Sequence, residues 1–299
     1  MANSITLAEK FVPVIDGIYK KASLTSALDA VTKPDFTGTN TVKVMKVTTT
    51  GLGDYSRATG YPAGDVTVTW EALKLTEERG KEMSIDRMDD EETLGQAFGM
   101  AMSEFIRLHV APEVDAFRFS KYAQATGIST TTGAALTTGT AVLAAIDEAT
   151  KTLDNNEVPD DRILYVSTNL KPLLMGALAR EWGSEGNVSR VLNGYNDMPI
   201  IYVPQSRFYT KITLNDGTSS WGYAKDTTSS EKGVDINFMM ISKSSVLQAT
   251  KMALPKVFTP DENQKKDAWL FQYRLYHDAM VYDNKVNGIY LHKAATSAS

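Results

Sequence analysis

The residues that could carry out chemistry are few, and their spacing does not bring them together. The three histidines, His109, His277 and His292, form no pair like that of an HExxH helix, which places two metal ligands on one face. The chain contains no cysteine, which excludes thiolate metal sites, a cysteine nucleophile and a disulfide framework. We therefore predict no catalytic residue, no cofactor and no metal site.

Two further motifs are weak candidates for a site. The run DDEE at 89–92 could divide acid and base roles, as paired carboxylates do, but it stands at the start of a predicted helix, where the helix dipole favours negative charge. The segment TGLGDYSRATG contains a GxG that lies in a polar loop with no helix after it to bind a phosphate. We interpret the first as a solvated helix start and the second as an ordinary loop.

Composition and charge limit the class of protein. With 42% hydrophobic and 22% charged residues the chain is typical of a globular protein. A net charge of -5, without a cluster of Lys or Arg, argues against a nucleic-acid reader and leaves only non-specific contact with DNA. The sequence shows no secretory signal and no apolar run long enough to span a membrane, so we expect a protein that begins in the cytoplasm and has no membrane partner.

The stretch 47–70 predicts a long two-stranded element. The strand-like runs TVKVMKV and DVTVTWEALKL flank a polar segment too long for a tight turn. In the second run Val66, Val68 and Trp70 share one face, whereas Leu73 and Leu75 lie on the other, which predicts a bulge or bend. A lone two-stranded ribbon is marginal in water. Its apolar face must therefore be covered by its own domain or by another chain.

Helical patterns precede and follow this element. Residues 4–20 carry apolar positions at helical spacing, Phe11 and Ile15 among them, and Pro13 interrupts the pattern. We interpret this segment as an arm or as a surface helix. From Asp89 onward the spacing predicts one long helix with a kink before Pro112.

The second half of the chain alternates helix and strand. After a Thr/Gly/Ala linker at 127–140 we predict a helix at 141–153, the buried strand RILYVS, a helix at 168–180 and the buried strand MPIIYVP, which is typical of an α/β domain. The runs VDINFMMIS and SVLQATKMAL are further strand candidates. The alternating residues 269–276 predict a long half-buried strand that pairs with GIYLHK and packs on the long helix.

In this order the parts resemble the major capsid protein family of tailed bacteriophages, whose fold is shared with encapsulin shell proteins. The resemblance covers nearly the whole chain. It is carried by the segments KVTTTGLGDYSRATGYPAGDVTVTWEALKLTEERGKEMSID, DDEETLGQAF, DDRILYVSTNLKPLL, GYNDMPIIYVPQSRF and RLYHDAMVYDNKVNGIYLHK.

The resemblance implies an α+β fold made of five parts. These are an N-terminal arm (1–40), an extended β-loop (41–84), a peripheral domain with a long spine helix (85–135), an α/β axial domain (136–254) and return strands of the peripheral domain (255–299). It implies a non-enzymatic protein that self-assembles through pentamers and hexamers into an icosahedral shell around a phage double-stranded DNA genome.

The same resemblance implies a location and partners. We expect the protein in the virion, assembled in the host bacterial cytoplasm, with a portal, a possible decoration protein and non-specific contact with the packaged DNA. Because the predicted arm begins within a few residues of Met1, we expect a separate scaffolding protein. No sequence feature selects a loop lysine for covalent cross-linking.

The extended loop and the arm supply the candidate subunit-interface residues. Mixed charge around the loop suits polar complementarity with a neighbour, which sets register more than affinity. The candidates are Phe11, Ile15, Tyr55, Arg57, Tyr61, Trp70, Glu77, Arg79 and Arg87.

Three alternatives remain open on the sequence. An encapsulin-type nanocompartment would use the same shell and enclose enzyme cargo. An α/β enzyme would use the long loop as a lid over its active site. A different phage structural protein, such as a tail component, would form rings or tubes.

Overall fold

The structure is a computed structural model that describes residues 23–29, 41–92, 102–133, 136–177, 194–196, 198–228 and 231–295. The predicted helical segment at 4–20, with Phe11 and Ile15, lies outside the described residues. The fold is α+β, with two larger sheets joined by one helix and two separate two-stranded ribbons.

The strands, in chain order, are β1 (Thr41–Thr49), β2 (Val66–Lys74), β3 (Glu77–Asp86), β4 (Ser129–Thr132), β5 (Arg162–Ser167), β6 (Gly194–Tyr195), β7 (Met198–Val203), β8 (Ile212–Leu214), β9 (Tyr223–Lys225), β10 (Ile236–Ser242), β11 (Val246–Phe258), β12 (Ala268–Val281) and β13 (Ile289–Lys293). The α-helices are α1 (Arg87–Glu92), α2 (Ala111–Ala123), α3 (Gly139–Asn155) and α4 (Lys171–Ala177). Short 3-10 turns are Thr25–Leu28, Gln205–Arg207, Lys243–Ser245 and Asp283–Gly288. A π-helical turn, Ile106–Val110, joins the helical residues 102–105 to α2, and we call the continuous stretch 102–123 the spine helix.

The larger sheet has six strands in the order β4-β13-β10-β5-β7-β6. Its central strand β5 is buried throughout, and alternate residues face opposite layers. Leu164 and Val166 pack with apolar residues of α3, whereas Ile163 and Tyr165 pack with Phe119 of the spine helix. The predicted strands RILYVS and MPIIYVP are both present and run parallel, as an α/β domain requires.

The smaller sheet has three antiparallel strands in the order β11-β12-β3. The N-terminal half of the spine helix packs on it, with Met102 and Ile106 beside Phe271 and Tyr273 of β12. The C-terminal half packs on the six-stranded sheet. The predicted contact between the long helix and the strand at 269–276 is therefore confirmed, and one helix joins the two sheets.

A π-helical turn lies where the kink before Pro112 was predicted. Proline has no N–H to donate to the preceding turn, and the chain widens there into the π-helical turn Ile106–Val110 before α2 continues. The helical residues that follow β3 begin at Arg87, two positions before the predicted start. Residues 93–101 lie outside the described residues, so the continuity predicted from Asp89 stays a prediction.

Three expectations about the strands are wrong. Strand β12 pairs with β11 and β3, whereas β13, from the run GIYLHK, lies between β4 and β10 in the other sheet. Buried on both faces, β13 suits a sheet centre, which an alternating pattern alone could not reveal. The predicted linker contains β4, which pairs with β13 through backbone groups that any residue type supplies.

The third correction concerns the bulge that was one of the two alternatives predicted for β2; the other, a bend, stays a prediction. Its pairing with β1 is unbroken from Thr49 opposite Val66 to Thr41 opposite Lys74, so no bulge lies within it. The phase change of the sequence instead marks the end of the ribbon, where Leu75 turns into the core before β3 begins.

A buried carboxylate holds the segment 23–29, which lies within the predicted arm, against the spine helix. Asp115 is fully buried and accepts hydrogen bonds from Ser23 Oγ at 2.9 Å, Leu24 N at 2.9 Å and Thr25 Oγ1 at 2.7 Å. The guanidinium of Arg207 lies 3.3 Å from its second oxygen. A buried charge is tolerated when it is paired and hydrogen-bonded, so each of these groups depends on the others.

We predict that Asp115→Ala lowers the free energy of unfolding by about 3–5 kcal/mol, because the substitution leaves buried donors and a guanidinium without their acceptor. Chemical denaturation measures the loss. The control is Glu148→Ala, which removes an exposed pair with Lys151 and is expected to cost less than about 1 kcal/mol. Equal effects of the two variants would contradict the proposed anchoring.

Candidate functional site

The ribbon formed by β1 and β2 presents an apolar face that no other described part of the chain covers. Its register places Met45 opposite Trp70, Val47 opposite Val68, and Thr49 opposite Val66. Partners in an antiparallel pair point to the same face, so these side chains form one continuous surface. The five apolar ones are between 45% and 67% exposed. A patch of this kind on a soluble protein marks an interaction surface.

Among the described residues, the opposite face packs on its own domain near the base of the ribbon. Val42 and Val44 pack with a small buried cluster that contains Leu75 and Leu247. Farther along, Lys46 Nζ lies 3.4 Å from a carboxylate oxygen of Asp283. The ribbon is therefore attached to its own domain on one side, while its apolar side faces away.

The turn at the root fixes the direction of the ribbon. Thr76 donates from its backbone N–H and its hydroxyl to one carboxylate oxygen of Asp278, at 3.1 and 2.8 Å. Tyr276 donates its hydroxyl to the carbonyl of Leu75 at 3.1 Å. These contacts join the last residues of the ribbon to β12.

The distal loop, residues 50–65, is an ordered turn with exposed aromatic rings; we call it the tip. Ser56 and Gly60 exchange backbone hydrogen bonds of 3.1 and 2.7 Å, and Gly60 has φ +84°, which suits glycine. The rings of Tyr55 and Tyr61 meet edge to face with centroids 5.0 Å apart. Both rings and the side chain of Arg57 are exposed.

The predicted interface residues Glu77, Arg79 and Arg87 lie outside the ribbon and contact groups of their own chain. Arg79 uses its guanidinium within its own chain: Nε donates to Glu113 at 2.7 Å and an Nη donates to the carbonyl of Asn215 at 2.7 Å. Glu77 accepts from the hydroxyl of Thr76. Arg87 lies 3.9 Å from carboxylate oxygens of Asp261 and Asp267 on the β11–β12 connection.

A cavity of about 280 Å³ lies beside Arg79, between β3, the spine helix and the β8–β9 hairpin. Its walls are mainly apolar, and Lys81 stands beside it with Nζ 4.7 Å from the ring centroid of Trp221 and 5.6 Å from that of Phe105. Sequence reasoning missed this grouping because its members come from four segments that are distant in the sequence. Only the exposed Trp221 in a polar loop could have drawn attention to it.

His277 is buried near three positively charged side chains. His277 is 2% exposed, its ring lies edge to face with that of Phe117, and its Nδ1 has no hydrogen-bond partner in the part of the chain that the structure describes. Burial, followed by the positive charges of Arg118, Arg79 and Lys121, lowers the pKa of His277 to about 3. The imidazole is neutral in the folded chain and packs as a core residue.

The described residues offer no group of three His, Asp or Glu side chains that could hold a metal ion. No helix among them is long and apolar enough to cross a membrane. The acidic residues Asp89 and Asp90 lie in the first turn of α1, where a helix start was predicted.

Comparison with known sequences gives no match, either to a protein-family model or to a curated protein. Comparison with solved structures does. The mature capsid of bacteriophage PhiM1 has a TM-score of 0.62 at 10% identity, over 93% of this chain and 88% of that chain. The capsid of cyanophage P-SCSP1u has a TM-score of 0.61 at 13% identity, over 92% and 89%. A virus-like particle from Pyrococcus furiosus has a TM-score of 0.60 at 11% identity, over 95% and 98%.

These matches extend over nearly the full length of both chains, so they concern the whole fold. At such low identity they show a shared fold, and they confirm the fold class that the sequence predicted.

We predict that His277 makes stability depend on pH. Its pKa is about 3 when folded and 6.5 unperturbed, so between these values the unfolded chain binds one more proton. The stabilisation is complete above pH 6.5 and falls by about 1.4 kcal/mol per pH unit below it. Denaturation series at several pH values measure the slope. His277→Phe should remove this part of the slope, whereas His109→Gln, at an exposed site, should retain it; identical slopes in all three proteins would overturn the assignment.

Proposed function

We propose, from the premise that this chain has the fold of phage major capsid proteins, that it is a shell-forming capsid subunit which assembles with copies of itself through pentamers and hexamers. The observation that supports this most is the uncovered apolar face of the ribbon. A two-stranded ribbon gains too little from its own pairing to be stable alone, and burial of this face on a second copy would supply the missing cover. The candidate contacts are Tyr55, Arg57, Tyr61 and Trp70.

Weak individual contacts are sufficient for such an assembly. If each pair of subunits buries about 1,000 Å² in total, the contact is near the lower limit of specific interfaces. Many contacts that close together in one particle act multivalently, so the particle is far more stable than any one of them. Glu77 and Arg87, with exposed or half-buried charges near the root and the β11–β12 connection, would set register more than affinity.

Arg79 stays among the proposed interface residues because it lines the cavity beside Lys81. Its donors also bind Glu113 and the β8–β9 hairpin, so it holds parts of its own subunit together as well. Phe11 and Ile15 remain part of the proposal as arm contacts, on the strength of the sequence pattern alone.

An encapsulin-type compartment is the second candidate, favoured by the likeness to the virus-like particle from Pyrococcus furiosus. Both functions require the same closed shell, and they differ in what it encloses. For the phage capsid we expect packaged double-stranded DNA and a virion location, with a scaffolding protein, a portal and a possible decoration protein as partners. An enzyme with a lid loop is disfavoured, because no residue of the tip lines the cavity beside Lys81 and the apolar face of the ribbon points away from its own domain.

We predict that Val47→Asp combined with Val68→Asp prevents shell formation while the subunit stays folded, because two desolvated carboxylates would face the neighbour. The matched control is Thr48→Asp with Thr67→Asp, an opposed pair on the other face of the same ribbon with the same added charge. Electron microscopy and light scattering measure assembly, and circular dichroism measures folding. Normal shells from the valine variant, or loss of shells from both variants alike, would contradict the proposed interface.

Particles formed by the wild-type protein test the proposed shell-forming function. Closed shells or capsomer rings support it, and nucleic acid or enzyme cargo inside them separates the two candidates. A chain that remains a small oligomer across concentrations, also when co-expressed with the proteins encoded beside it, would refute it.

A further inference from the structure

We propose that the cavity beside Lys81 receives the ribbon tip of a second copy of this chain, with the carboxylate of Asp54 and the ring of Tyr55 as the groups that enter it. The inference rests on the proposed function, which places the ribbon on a neighbouring subunit, and adds the acceptor site.

The cavity is built from rigid parts. Val110 and Val114 of the spine helix and Leu275 of β12 form buried apolar walls, and Phe105 lies at 6.0 Å from Tyr273 with the rings edge to face. Apolar walls with a few charged groups at one side are the usual composition of a binding pocket.

Trp221 forms an exposed wall that its own loop holds in place. It lies on the β8–β9 hairpin and is 65% exposed. Gly217, at φ +81°, leaves no room for a Cβ, which would come within 2.8 Å of the Trp221 ring. A hydrogen bond of 2.9 Å from Asn215 N to the carbonyl of Gly222 closes the loop. The indole is therefore pre-positioned, which lowers the entropy cost of binding.

Lys81 supplies a positive charge at the cavity. Its ammonium lies over the rings of Trp221 and Phe105, and none of the carboxylates described in the structure forms an ion pair with it. The nearest acid on the cavity wall, Glu113, is bound by Arg79. A cation partly surrounded by aromatic rings attracts both a carboxylate and a further ring face.

The tip offers both groups together. Asp54 and Tyr55 are adjacent and exposed, and Tyr55 is held against Tyr61 by an edge-to-face contact. An incoming carboxylate would pair with Lys81 while the tyrosine ring packs on Trp221. Tyrosine suits this position because its ring is apolar and its hydroxyl can remain in water.

The tip that would enter the cavity comes from another copy. The tip of the same chain is exposed and lines no part of this cavity. The nine residues of each ribbon strand extend about 30 Å from the root at about 3.3 Å per residue, whereas Lys81 is only seven positions beyond the last residue of β2. The tip and the acceptor cavity lie at different places on the surface of one subunit, so the contact between two copies is heterologous. Such a contact generates a closed ring when the rotation from each subunit to the next leads back to the first.

A charge exchange tests the pairing. Asp54→Lys and Lys81→Asp are each expected to raise the protein concentration needed for assembly about tenfold, because like charges then meet. The double variant restores the attraction and should assemble near the wild-type concentration. Lys151→Asp, at an exposed site on α3, matches the change in charge and should have no effect. Single variants that assemble as the wild type does, or a double variant worse than either, would overturn the acceptor site.

Cysteine cross-linking gives an independent test, because the chain has no native cysteine. Ala58→Cys in the tip with Ser220→Cys beside Trp221 leaves the proposed contact residues intact, and a bismaleimide should link assembled subunits into covalent pentamers and hexamers. The control replaces Ser220→Cys by Ser84→Cys, on the other face of β3 from Lys81, and should give no such ladder. Shells with equal or no linking in both variants would refute the acceptor site alone, whereas a wild-type chain that forms no shells would refute the proposed function.

Discussion

The main constraint on the structure is an apolar surface that the described part of the chain leaves exposed. The outward face of the ribbon carries Met45, Val47, Val66, Val68 and Trp70, and the described part of the chain leaves all of them exposed. Apolar area of this kind favours association in proportion to the area removed from water. The rest of the described chain supports the ribbon, and in the proposed shell, folding and assembly would share one driving force.

That support is organised by two acidic residues of the spine helix. Glu113 binds Arg79 of β3, which also bonds the β8–β9 hairpin, and Asp115 binds the turn at 23–29. The apolar side of the same helix packs on both sheets. Removal of Asp115 would leave buried donors unsatisfied, and removal of Glu113 would leave the partly buried guanidinium of Arg79 without its acceptor. These contacts therefore favour a single arrangement of the sheets.

The sequence predicted where strands and helices lie better than it predicted which strands pair. The strands at 162–167 and 198–203 and the irregular helix before Pro112 were evident from apolar periodicity and from proline chemistry. The sheet membership of β13 and the strand β4 within a Thr/Gly/Ala segment depend on long-range backbone pairing, which leaves little trace in side-chain type. The apolar ribbon face could be read from alternation, whereas the contact of Lys81 with Trp221 joins residues 140 positions apart.

The root of the ribbon is the place where small changes would have large effects. Thr76 and Leu75 are tied to β12 through Asp278 and Tyr276, so the angle of the ribbon follows from a few hydrogen bonds. Over a length of about 30 Å, a rotation of about 10° at the root would move the tip by about 5 Å. A heterologous contact converts such a displacement into a different rotation between neighbours, and that rotation decides whether a ring closes. In a shell subunit, the two bonds to Asp278 would therefore affect curvature more than the apolar face itself, which supplies the affinity.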